Sequence, residues 1–168
     1  MANNRKTPAS AIALGGVLAA LAAVIMGMGT LIPVATYVCP VMCMVLLQVV
    51  LKLCGSRYAW AWFGAVAILG LLFASDKEAA VIFCFLGYYP ILKPKMDRKK
   101  KKWFLKAIYF NIVILAAYAF LIYLMGLNEI LTEFGEMGTI MTIVLLILGN
   151  VTFFLLDKLL GMKPRKRR

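Results

Sequence analysis

Long apolar runs separated by short charged clusters set the pattern of this chain. Runs at about 11–31, 36–54, 58–75, 103–126 and 139–160 are each nearly free of charge. A helix rises about 1.5 Å per residue, so about 20 apolar residues cross a hydrocarbon core about 30 Å thick. A further run at about 78–92 is different, because only the fourteen residues from Ala79 to Leu92 separate Glu78 from Lys93. As a helix they cover about 21 Å, short of the core thickness. Gly87 and Pro90 lie in this run, and both favour an interruption. The pattern predicts an all-α integral membrane protein, a single bundle of six transmembrane helices over 1–168 whose fourth helix is short or broken.

Charge fixes the expected orientation. Of nineteen Lys and Arg, eighteen fall on one side in a six-helix path: Arg5, Lys6, Lys52, Arg57, the eight between Lys93 and Lys106, Lys158, and the five from Lys163 to Arg168. Lys77 alone falls on the other. Basic residues stay in the cytoplasm, so both termini are expected inside, with a basic cytoplasmic loop at 93–106 and a basic tail at 161–168. Five helices would put either that loop or the tail outside. With 64% apolar and 15% charged residues, the chain lacks the polar surface of a soluble domain. The expected location is the plasma membrane. The basic clusters flank apolar runs, which fits cytoplasmic retention and anionic membrane lipids as partners and argues against nucleic acid. Arg5 and Lys6 precede an apolar run too long for a signal peptide, so that run reads as a retained first helix.

Chemistry is sparse. There is no His, and Cys39, Cys43, Cys54 and Cys84 all lie in or at the ends of apolar runs, where a thiol reads as a small packing group. No metal site, cofactor or catalytic set is expected, and the chain does not read as an enzyme. Polar side chains at membrane depth are costly and therefore informative. Asn111 and Tyr118 share one face of the fifth helix, while Thr139, Thr142, Gly149, Asn150 and Asp157 form a stripe on the sixth. Two readings stand: Asn111 and Asn150 tie helices together, or they line a ligand cavity. Asp157, beside Lys158, reads as an interfacial residue. Glu78, Tyr88 and the aromatic run between them are further candidates for a small-molecule site, against an interfacial Tyr belt for Tyr88 and Tyr89. Trp60 and Trp62 suit such a belt. The candidate solute-binding residues are Glu78, Tyr88, Asn111, Tyr118, Thr142 and Asn150. On the first helix, small residues recur at close spacing, and Ala9, Ala13, Gly16 and Ala20 are candidate partner contacts.

With its size, its six-helix order with the N-terminus inside, and Ala9 and Ala13 in an Ala/Gly-rich first helix after a basic start, the chain resembles S components of energy-coupling factor (ECF) transporters. It is also similar to multi-pass proteins of Gram-positive bacteria that carry a GYYPILK-type segment, here Gly87–Lys93. The first resemblance implies capture of a vitamin-like micronutrient from outside. It further implies release through partner subunits, a transmembrane coupling subunit and ATPases, with the Gly27–Pro40 connection as a lid. The other reading is a non-transporting scaffold or assembly subunit that docks a cytoplasmic or lipid partner through its basic loop.

Orientation is directly testable. Epitopes at residues 1 and 168 are expected to react with antibody only after the membrane is permeabilised, and labelling of either one in intact cells would overturn the assignment.

Overall fold

The structure is a computed structural model that describes residues 8–29, 35–98, 102–126 and 129–161, the side chains of Pro8, Ala35 and part of 127–145 excepted. Seven helices occupy them: α1 (Pro8–Gly27), α2 (Ala35–Cys54), α3 (Ser56–Phe73), α4 (Lys77–Leu86), α5 (Tyr89–Met96), α6 (Lys102–Tyr123) and α7 (Glu129–Gly161). Four of these, α1, α2, α3 and α6, are long and apolar enough to cross a membrane, which supports a multi-pass membrane protein. The chain divides into two compact units, Met1–Lys102 and Trp103–Arg168.

In the first unit α1 packs on α2 and α3. Its inward side is Ala11, Ala22 and Met26, and small side chains let the neighbours approach closely. The thiols of Cys54 and Cys43, both on α2, donate weakly to the carbonyls of Ala11 and Ala22 at 3.8 Å. Met26 meets Gly70 of α3, where an added Cβ would sit 3.7 Å from its methyl carbon. All four cysteines are free thiols. Pro40, expected in the connection after the first helix, instead lies inside α2, so only residues 28–34 join the two helices.

Asp76 closes one end of this unit. Its Oδ1 accepts the Ala79 N–H at 3.2 Å and caps α4, while Oδ2 accepts the Thr36 hydroxyl at 2.6 Å and ties α4 to the start of α2. Gly29 is needed for this approach, since a Cβ there would lie 2.9 Å from that of Asp76. Ser75 adds a bond from its hydroxyl to the Gly27 carbonyl at 3.1 Å.

The expected fourth helix, 78–92, is two helices of ten and eight residues with a turn at Gly87–Tyr88. Pro90 has no N–H to give the Leu86 carbonyl, and the Ile91 N–H reaches back only three residues, to the Tyr88 carbonyl at 3.0 Å. Gly87 and Tyr88 keep right-handed helical angles, so the path is interrupted but not reversed. Phe83, fully buried, lies over the turn. A Cβ on Gly87 would come 2.7 Å from its ring and closer still to its carbonyl oxygen.

Between Lys93 and Lys106 the structure corrects the expected loop. α5 runs on to Met96 and α6 starts at Lys102, so the connection is 97–101, and both Lys93 and Lys106 are buried. The expected tail falls outside the described residues beyond Gly161. In the second unit α6 and α7 form an antiparallel pair. α7 is interrupted at Gly138, whose φ of 70° lies in the left-handed region that glycine tolerates. The expected helix 139–160 is its part beyond that point, and Glu129, Glu133 and Glu136 fall in the helical part before it.

Replacing Gly87 by Ala is expected to cost about 1–3 kcal/mol, as overpacking of a filled site does, and to lower the thermal midpoint in detergent. An unchanged midpoint would mean that the turn does not depend on the missing side chain.

Candidate functional site

The second unit holds the strongest cluster of polar groups among the described residues. On α6 the buried positions Lys106, Phe110, Val113, Ala117 and Leu121 recur at three and four residues and form one face. Facing them on α7 are Asn150, Phe153 and Asp157. Phe110 stacks on Phe153 at 4.8 Å between ring centres. Gly149 lies beside the Phe110 ring, where an added Cβ would sit 3.5 Å away, in ordinary van der Waals contact.

On one side of the stacked rings, Asn111 and Asn150 exchange two amide hydrogen bonds. Asn111 Nδ2 donates to Asn150 Oδ1 at 3.1 Å, and Asn150 Nδ2 donates to Asn111 Oδ1 at 3.2 Å. Each Nδ2 also donates one turn back, to the Ala107 carbonyl at 2.8 Å and the Leu146 carbonyl at 2.9 Å. An amide has two N–H donors, so the donors of both residues are used. A solute acceptor would have to displace one of these bonds, whereas each Oδ1 accepts only one and keeps a second lone pair.

On the other side, Lys106 Nζ lies 2.8 Å from Asp157 Oδ2, with Lys106 only 3% and Asp157 6% exposed. Asp157, expected beside Lys158 at the interface, is buried in the protein as half of an ion pair. The physical reason is mutual neutralisation, because an isolated charge could not stay in an apolar helix interface. Lys106 was legible only as part of a basic cluster. Its place four residues before Phe110, on the face that also carries Val113 and Ala117, is the signal for burial.

In the first unit, Trp60 and Phe63 of α3 pack around the Gly87–Tyr88 turn. Trp60 stacks on Tyr88 at 6.3 Å, and Phe63 meets Tyr88 at 5.8 Å and Phe83 at 5.6 Å. Trp60 is half-exposed and Tyr88 partly so, as a belt requires, but Trp62 is only 5% exposed and Tyr89 is fully buried, which removes them from it. The indole Nε1 of Trp62 has no hydrogen-bond partner among the described residues. Buried, it is a strained feature of this core worth about 1–3 kcal/mol.

The six candidate solute residues therefore divide. Glu78, in the first turn of α4, and Tyr88, after its last turn, belong to the first unit and stand about 15 Å apart along the helix. Asn111, Tyr118 and Asn150 belong to the second, where Asn111 and Asn150 meet and Tyr118 sits two turns along α6, half-buried. Thr142 and Thr139 have side chains outside the described residues. Ala9, Ala13, Gly16 and Ala20 are all exposed on α1, and no atom lies within 4 Å of a Cβ built on Gly16.

Replacing Lys106 by Met strands Asp157 in the helix interface and is expected to cost about 3–5 kcal/mol of stability, while adding Asp157→Leu should restore most of it. Chemical denaturation in detergent reads both. A double variant no more stable than the single one would show that the pair is not a self-contained unit.

Comparison of the chain with known protein families, curated proteins and solved structures found no match.

Proposed function

We propose that this chain is a non-enzymatic membrane subunit that docks a partner membrane helix through the outward face of α1, with both of its own ends in the cytoplasm. The observation that carries the reading is the sidedness of α1. At about 100° per residue, Ala9, Ala13, Gly16 and Ala20 fall within about 60° of arc. Ala11, Ala22 and Met26, which pack into the unit, lie on the opposite side. Ile12 on one flank and Val17 and Val24 on the other are exposed and larger, leaving a shallow groove between two ridges. Small residues are not needed to face lipid tails, whereas close helix contact depends on them.

In its transporter form the proposal follows the resemblance to ECF S components. α1 is then the face for the coupling subunit, ATPases supply the energy, and the chain captures a micronutrient-like solute. With Asn111 and Asn150 holding each other, solute recognition falls to Glu78 and Tyr88 within the first unit or to Tyr118 within the second. The scaffold form uses the same α1 face with no solute, and the closed amide pair favours it.

The test is the size of the assembly extracted from its native membrane in mild detergent. Ala13→Trp should convert a larger assembly to the lone chain, with the thermal midpoint of the purified chain unchanged because Ala13 is exposed. Leu72→Trp, at an exposed position on α3, should leave the assembly intact. An assembly that survives Ala13→Trp would overturn the docking role.

A further inference from the structure

The two ends of the first unit differ sharply in charge, and their positions follow from contacts across α3, α4 and α5. Trp60 lies level with Tyr88, and Phe63 with Phe83, so α3 runs antiparallel to the α4–α5 path. Continuing that register brings Gly55 level with residues near 92. α2 and the α4–α5 path both start where Thr36 meets Asp76, and each extends for twenty residues, counting the two turn residues. They therefore end together. Lys52 near the end of α2, Arg57 at the start of α3, and Lys95 and Arg98 at the end of α5 converge on the end marked by Gly55. α5 packs against both α2 and α3, which brings these termini side by side.

All four cations are exposed, and none makes an ion pair among the described residues. Lys93 is set apart from them, buried and 3.7 Å from Asp97, so the one acid at this end is engaged. Trp60 stands one turn from Arg57, 46% exposed and stacked on Tyr88, at the level where an apolar span gives way to charge. An indole with an apolar body and a polar N–H suits the depth of lipid headgroups, and unpaired cations just beyond it suit phosphate.

We propose that the Gly55 end of this unit binds the headgroup phosphate of an anionic phospholipid, held by Lys52, Arg57, Lys95 and Arg98 with Trp60 against the glycerol and upper acyl region. An acidic protein segment would satisfy the cations but makes no use of the tryptophan at the bilayer boundary. The site is independent of what α1 docks.

The experiment uses the full chain in nanodiscs of phosphatidylcholine alone or of an equal mixture with phosphatidylglycerol, followed by native mass spectrometry of the lipid retained on release. The wild-type chain should keep phosphatidylglycerol in preference to phosphatidylcholine, and less of it as salt rises. The variant with Lys52, Arg57, Lys95 and Arg98 all changed to Gln should lose that retention at least about tenfold. Lys158→Gln, at an exposed position on α7, should keep it. Trp60→Leu leaves every charge in place and should lower retention by itself, which guards against a fourfold variant that misfolds. Equal retention by the fourfold variant with an unchanged thermal midpoint would overturn the proposal. So would equal competition by soluble glycerol phosphate, or displacement of the lipid by polyglutamate at matched charge.

Discussion

Hydrocarbon offers no hydrogen bonds, so a polar group carried into it must find its partner within the chain. Most of the described polar side chains inside the apolar helices obey this. Thiols of Cys43, Cys54 and Cys84 turn to backbone carbonyls on neighbouring helices. Asn111 and Asn150 satisfy each other and their own helices, and Lys106 neutralises Asp157. Trp62 Nε1 is an exception. The shape of each unit follows: helices approach where a pair of polar groups, or a pair of small ones, has to meet.

The same demand explains the connections. A helix begins with free N–H groups that must be covered, and Asp76 covers one at the start of α4 while its other oxygen holds Thr36. A single carboxylate thereby caps one helix and fixes a second, and Gly29 gives the chain room to pass. At Gly87–Tyr88 the lost bond at Pro90 is tolerated because Phe83, Phe63 and Trp60 enclose the turn in protein.

Apolar length and punctuation made the helices legible. Gly87 and Pro90 marked the interruption because both act through their own backbone, with no distant partner required. Lys106 and Asp157 were misplaced for the opposite reason. In sequence each stands among its neighbours, one in a basic cluster and one beside Lys158, while the group that allows its burial is 51 residues away. Trp60 and Trp62 show the same limit at smaller scale: two positions apart on a helix, they face different surroundings. The spacing of Asn111 and Asn150 allowed either a tie or a cavity, and only the antiparallel register of α6 and α7 brings the two amides together. On α1 the small residues could be counted from the chain, but which of them faced outward depended on where α2 and α3 pack.

The Lys106–Asp157 pair also bears on the order in which the chain can enter a membrane. α6 is synthesised first, and its lysine has no counter-charge until α7 follows. Lys106 stands only four residues from the start of α6, close enough for its long side chain to keep the ammonium in the headgroup layer during that interval. Asp157 sits correspondingly near the end of α7, four residues before Gly161. The two charges neutralise each other once both helices are in place. Slippage of one helix past the other by a turn would bring Lys106 level with an apolar or aromatic side chain in place of Asp157. The pair thus marks one alignment of α6 against α7.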